Sequence, residues 1–251
     1  MPNAILHSFR LPAALASTAL FSFCLTGCGS FTAGGKNADG VQLYQQGQYQ
    51  AAIEKFQEAA NANPNDPDAA YNLGRVYHRL AAVETNPASA SQSAAQAEQY
   101  YRIAIDRDSN HVEAHRALAV FYVEQGQSNK AFDLLGEWTV RQSDAADPRI
   151  ELARLHEEFG DKDAAKEQLL EALAIDHENA RTLAALGRLR EANGEYAQAM
   201  NNYRKSLELD RFQPELASRI TALQGTATSA PFYPPSSGET RVVDSSNVTR
   251  R

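Results

Sequence analysis

Internal self-similarity limits what this chain can fold into more than any other feature. YNLGRVY at 71–77 and AALGRLR at 184–190 share one pattern, and QGQYQAAIEKFQEAANANP at 46–64 shares another with NGEYAQAMNNYRKSLELD at 193–210. Five units can be laid out, at 33–66, 67–111, 112–145, 146–179 and 180–213, the last three following at 34 residues without a gap. A unit of this size cannot bury its apolar face alone, so the copies must stack on one another and share a core.

The columns of this layout carry the packing argument. Position 8 is Gly40, Gly74, Ala119, Ala153 and Gly187, and position 20 is Ala52, Ala97, Ala131, Ala165 and Ala199. Small side chains at both places let two helices approach to the short end of their usual separation, about 8 Å. Larger residues fill the space between: Leu73, Leu118, Leu152 and Leu186 at position 7, and Phe56, Tyr101, Leu135, Leu169 and Tyr203 at position 24. Gly47, Gly126, Gly160 and Gly194 stand where a first helix has to stop, a place suited to a left-handed residue.

This set of columns resembles the tetratricopeptide-repeat (TPR) family over residues 33–223. The resemblance implies an all-α fold, a TPR α-solenoid of about five helix-turn-helix repeats plus a C-terminal capping helix. The organisation expected is a TPR domain at 37–223, with the cap at 214–223, followed by a disordered Ser/Thr/Pro-rich tail at 224–251. Three departures stand out. Asp39 replaces an expected leucine, which predicts a short or frayed first helix. Trp138 occupies position 27, where Ala59, Ala104 and Ala172 stand elsewhere, and either wedges repeats 3 and 4 apart or sits in a repacked core. Repeat 2 has 45 residues; the excess, near 81–96, lies between its helices with Asn86-Pro87 at the turn. Its Ser/Ala-rich flanks are suited to extending both helices beyond the solenoid edge, and the insertion reads as a tolerated surface loop in preference to a partner-specific protrusion.

Residues 1–27 read as a leader. Arg10 and His7 give a weakly basic start, LPAALASTALFSFCL is an apolar run of signal-peptide length, and Leu25-Thr26-Gly27-Cys28 resembles the bacterial lipobox. That resemblance implies a lipoprotein signal peptide at 1–27, acylation of Cys28 and a lipidated tether at 28–36. Gly29 follows the cysteine, not the Asp that retains many such lipoproteins at the inner membrane, so the outer membrane of a bacterial envelope is favoured, on its periplasmic side. Both cysteines, Cys24 and Cys28, lie in this region, so no disulfide framework is available to the body.

The body is mildly acidic. The net charge is −7 overall and −8 once residues 1–27 are removed, which gives no reason to expect nucleic acid. Phosphate-loop, nucleophile-elbow and paired-carboxylate signatures do not stand out, so neither an enzyme nor a cofactor nor a small-molecule substrate is expected. HVEAH at 111–115 places His111 and His115 four apart, a zinc-compatible spacing. Val112 stands where the zincin motif needs Glu, and no third ligand is evident, so a structural pair is favoured over an accessory subunit or metal-dependent hydrolase.

The family implies instead a concave groove lined by positions 2, 5, 9, 12 and 13 of each first helix. Repeat 2 then contributes Tyr71, Arg75, His78 and Arg79, repeat 3 Arg116 and Val120, repeat 4 Arg154, and repeat 5 Arg181 and Arg188. Arginine at position 9 of three repeats forms a ladder suited to forked hydrogen bonds with a peptide's carbonyls or a carboxylate. The alternative is that each Arg pairs with a neighbouring acid on a solvated face. The chaperone-tail clamp of some family members does not carry over: of Asn37, Val41, Asn72, Glu113 and Ala117 only Asn72 matches. The function expected is a membrane-anchored scaffold that binds an envelope protein or peptide in this groove.

Overall fold

The computed structural model describes residues 33–229, and among these every regular element is an α-helix. The chain divides after Pro64 into two compact units.

The first unit holds one hairpin, α1 (Ala33–Gln45) and α2 (Tyr49–Ala62). Helix α1 is not shortened by Asp39; it has 13 residues, against 12 to 17 for the first helices of the later repeats. Contacts with α2 support it: the Phe56 ring lies against Gly40, and Lys36 pairs with Glu58 at 3.3 Å. It also begins inside the span expected to be a tether, so residues 33–36 are helical.

In the second unit, four pairs follow in order: α3 (Pro67–Val83) with α4 (Pro87–Arg107), α5 (Val112–Glu124) with α6 (Ser128–Arg141), α7 (Asp147–Glu158) with α8 (Lys162–Ile175), and α9 (Ala180–Ala192) with α10 (Tyr196–Leu209). The last helix, α11 (Pro214–Ser229), packs on α10. It runs six residues beyond the expected cap, so 224–229 is helical where a disordered tail was expected.

Local chemistry sets the ends. Side-chain oxygens of Asp66, Asn86, Asp161 and Asn179 accept from backbone N–H groups in the first turns of α3, α4, α8 and α9, and Pro67 and Pro87 fill first-turn positions that need no donor. Four hairpins turn on a glycine at φ between 70° and 80°: Gly47, Gly126, Gly160 and Gly194. At Gly126 the glycine N–H donates to the Val123 carbonyl at 2.9 Å and the next N–H to Tyr122 at 2.8 Å, satisfying carbonyls the helix leaves open. Repeat 2 has no such glycine. Its inserted residues lengthen both helices, to 17 and 21 residues, and the Asn86 cap and Pro87 make the turn. Along the extension Tyr77 stacks on Tyr100, ring centroids 5.5 Å apart, and Ser93 donates to Glu84 at 3.0 Å.

The core is layered by repeat. Where position 8 is glycine, position 24 is aromatic: Gly40 with Phe56, Gly74 with Tyr101, Gly187 with Tyr203. Where position 8 is Ala119 or Ala153, position 24 is Leu135 or Leu169, all buried. A methyl group on Gly74 would stand 2.6 Å from the Tyr101 ring, so the ring occupies the volume a Cβ would need.

Trp138 does not act as a wedge between repeats. It is buried within its own repeat, its ring stacked on His115 with centroids 3.9 Å apart and planes 7° apart. The extra volume at position 27 is taken up by this flat pairing with position 4.

Candidate protein-binding groove

The first helices α3, α5, α7 and α9 touch in succession, so their inner faces form one wall. Of the arginines expected on it, the fold brings four together. Arg116, Arg154, Arg181 and Arg188 line a cavity of about 360 Å³, floored by Ile150, Ala153, Leu169, Ala184 and Ala185 and edged by Glu157 and Gln213.

Its organising residue is one the sequence reading passed over. Glu151 is 1% exposed and accepts hydrogen bonds from three arginines of successive repeats: Arg116 through Nε at 2.8 Å and through Nη2, Arg154 through Nε at 3.3 Å, and Arg181 through Nη2 at 2.8 Å. Arg181 also bonds Asp147. Burial alone would raise the Glu151 carboxyl; the hydrogen bonds from Arg116 and the charges of Arg116, Arg154 and Arg181 outweigh it and hold the group below its ordinary range. The signal was present in the columns, because position 6 holds Ala38, Asn72, Ala117 and Ala185 in the other repeats and an acid only here.

The two readings of the arginine ladder therefore divide by residue. Arg116, Arg154 and Arg181 are tied to acids, although Nη2 of Arg154 is buried without a partner. Arg188 is exposed and makes no hydrogen bond or ion pair among the described residues. Counting the lining side chains, four cations face two carboxylates, Glu151 and Glu157. Burial pushes the Glu157 carboxyl up, and the charges of Arg188, Arg154 and Lys162 draw it back only in part. The cavity is thus cationic, and its acids are either fully engaged or reluctant to ionise.

The repeat 2 residues form a separate, self-packed cluster. Tyr71 lies against His111 (5.1 Å between centroids) with Arg75 over its ring, and Arg75 donates to Asn72 at 3.3 Å. His78 bridges repeats, its Nδ1 3.2 Å from the Tyr101 hydroxyl and its Nε2 2.7 Å from Glu124. Arg79 is exposed on the same helix, and Val120 is half-buried on α5 outside the cavity.

His111 and His115 have structural roles. His111 caps α5, its Nδ1 accepting from the Ala114 N–H at 3.3 Å, with Nε2 3.3 Å from Asp68. Nδ1 of His115 donates to the His111 carbonyl at 3.1 Å while the ring stacks on Trp138. Among the described residues, no three His, Cys, Asp or Glu side chains gather as a metal site, and no helix is long and apolar enough to cross a membrane. Cys28 lies outside the described residues.

Comparison with known proteins agrees with this architecture. Family models described as TPR repeat match residues 40–80, and models described as tetratricopeptide repeat match 88–147, 146–179 and 180–213, together about two thirds of the chain. A Drosophila melanogaster protein described as a BBSome complex member BBS4 homolog is 23% identical over 180 residues, which is 71% of this chain but only 36% of that protein. Among solved structures, the thermophilic TPR protein TTC0263 of Thermus thermophilus superposes with a TM-score of 0.55 at 23% identity, covering 77% of this chain and 99% of that one. Yeast Tom70 gives 0.67 at 14% identity, over 78% of this chain and 40% of Tom70. A TPR protein from Parabacteroides merdae gives 0.55 at 14% identity, over 77% and 71% of the two chains. With these matches laid over helical hairpins, turn glycines and small-residue columns, the chain belongs to the tetratricopeptide-repeat family.

Proposed function

We propose that this protein is a lipid-anchored, non-catalytic scaffold of the bacterial cell envelope, whose repeat 3–5 groove takes an acidic residue of a partner protein. TPR repeats and TPR-protein neighbours support the general role of protein–protein interaction. The observation that carries the finer reading is the cationic cavity around Arg188. Glu151 fixes three guanidinium groups in place, which limits the ordering cost of binding. Arg188 remains available for a charge-assisted hydrogen bond to an incoming carboxylate. The anchor rests on the Leu25–Cys28 resemblance, with Gly29 favouring the outer membrane. Because α1 begins at Ala33, the tether after Cys28 shortens to residues 29–32, a reach of at most ~14 Å, so the repeats would work close to the bilayer.

The test is Arg188→Glu in a crosslinking pull-down from the native envelope. Arg188 makes no hydrogen bond or ion pair among the described residues, so helicity should stay unchanged while partner recovery falls about tenfold or more; the melting temperature should drop by only a few degrees, from the loss of the charge that favours the Glu157 carboxylate. Unchanged recovery would refute the groove reading. Arg154→Glu is a poorer probe, because it sets a second carboxylate beside buried Glu151 and damages the fold itself.

A further inference from the structure

Two side chains of the groove are left without a partner, and they carry opposite charge. Glu157 on α7 and Arg188 on α9 line the same cavity of about 360 Å³, yet neither makes a hydrogen bond or ion pair among the described residues, with each other included. The neighbouring carboxylates are engaged. Glu151 accepts from three arginines and stays ionised. Glu158, next along α7, lies 4.0 Å from Arg154. On the far side of Arg188 a second cavity is walled by α9 and α11, and there Glu191 accepts from the Tyr203 hydroxyl at 2.6 Å and from Arg219 at 2.9 Å. Gln213, at the edge of the first cavity, is uncharged and bonds Ser206. The cations around Glu157 are Arg154 on its own helix, Lys162 at the start of α8 and Arg188 on α9, with Arg116 of α5 and Arg181 of α9 in the same cavity wall. Among the described residues, Glu157 is thus the one lining carboxylate of this cavity with no donor of its own.

The charge of Arg188 is the strongest acting on Glu157, so a carboxylate seated on Arg188 in this cavity lies beside Glu157 as well. Two carboxylates at such range do not both keep their charge. A proton on one of them turns repulsion into a charge-assisted O–H···O hydrogen bond. That proton falls to Glu157, which is half-buried over the apolar floor, while the guanidinium of Arg188 keeps the ligand's carboxylate ionised. We propose that Glu157 takes up one proton from solvent when an acidic residue enters the cavity, and that the resulting carboxyl donates to the ligand carboxylate that Arg188 holds. One O–H bond forms on Glu157 and no other covalent bond changes. This rests on the groove reading above and gives the groove a regulator: the complex carries one proton more than its separated parts, so binding tightens as pH falls. Burial already raises the Glu157 carboxyl against the opposing charges of Arg188, Arg154 and Lys162, so the free protein is part of the way to accepting the proton.

The experiment uses the mature full-length chain and a labelled peptide, Gly-Ser-Asp-Ser-Gly blocked at both ends, with its Asp→Asn counterpart. Between pH 8 and 5.5 the peptide's Asp stays ionised, since its ordinary value is about 3.9. Affinity for the Asp peptide should rise about tenfold as pH falls over that interval, and calorimetry in two buffers of different ionisation enthalpy should record net proton uptake on binding. Glu157→Gln has no carboxyl to protonate but keeps a donor. It should abolish both the pH dependence and the uptake, and hold affinity at the low-pH level throughout. Glu157→Ala should also be independent of pH, but should bind about fivefold more weakly than Glu157→Gln. Circular dichroism verifies that both variants are folded. A flat profile in the unmodified chain, or a slope that survives Glu157→Gln, overturns the proposal; the groove reading still stands provided Arg188→Glu weakens the Asp peptide. Weaker binding by Glu157→Gln at every pH would make Glu157 an ionised acceptor for a ligand N–H and overturn the proposal as well. If the Asp and Asn peptides bind alike at every pH, the groove reading fails and the proposal falls with it.

Discussion

At the scale of single residues, His115 shows how one side chain makes the fold sensitive to acid. Its Nδ1 donates to a carbonyl, so the free Nε2 is where a proton would arrive, and that atom is buried with no partner. Burial lowers its pKa from 6.5 to about 4. The unfolded chain therefore binds a proton that the folded chain refuses; stability is full above pH 6.5 and falls as pH drops toward 4. The loss amounts to about 3 kcal/mol. His115→Phe keeps a flat ring on Trp138 and has no proton to take, so urea titrations from pH 7 to 4 should show a shallower decline than the unmodified protein. Glu157 has the opposite sign. Its carboxyl is raised by burial, so stability falls as pH rises through the interval between the unfolded value and the raised one. Glu157→Gln should raise the melting temperature at neutral pH by a few degrees and tighten binding of an acidic peptide, since a negative charge leaves the cavity.

At the scale of elements, the coupling between positions 8 and 24 is the sharpest packing rule in the chain. Glycine inside a helix normally costs about 1 kcal/mol relative to alanine. Here Gly40→Ala sets a Cβ 2.5 Å from the Phe56 ring, and overpacking reverses the sign. Gly40→Ala should destabilise by about 1–3 kcal/mol. In the Phe56→Leu background, which reproduces the pairing of repeats 3 and 4, the same change should be neutral or stabilising. Chemical denaturation of the four proteins measures the coupling directly. Both columns were legible in the sequence. Their pairing was not, because position 8 lies on one helix and position 24 on the other, and only the hairpin shows that they compete for one volume. The same limit governs α1: a polar residue at Asp39 argues for fraying locally, while the contacts that keep the helix whole come from α2.

At the scale of the whole molecule, the proposed division of labour is an anchor at one end and a binding groove in the later repeats. Cys28→Ser should abolish incorporation of labelled fatty acid and move the protein from the membrane to the soluble fraction, with no change in peptide affinity. Membrane retention of that variant without acyl label would sink the lipobox reading. The groove itself was half legible. The family register named Arg116, Arg154, Arg181 and Arg188 as wall residues, and they line one cavity. It did not reveal that Glu151 gathers three of them, nor that α11 supplies a wall beyond its capping role.

The sequence by itself determined the helical hairpins, their period and their turns. These follow from local rules: small residues where helices must meet, glycines where the backbone must turn left-handed, and caps where donors would otherwise be stranded. Tertiary structure alone decided which charges are engaged and which are open. Arg116 and Arg181 are alike in composition to Arg188 and take their acids from a neighbouring helix; only Arg154 pairs with Glu151 three residues before it on its own helix. The distinction comes from a carboxylate buried between repeats, because an ion pair is fixed by distance in space and by the water it excludes, and neither is a property of neighbouring positions along the chain.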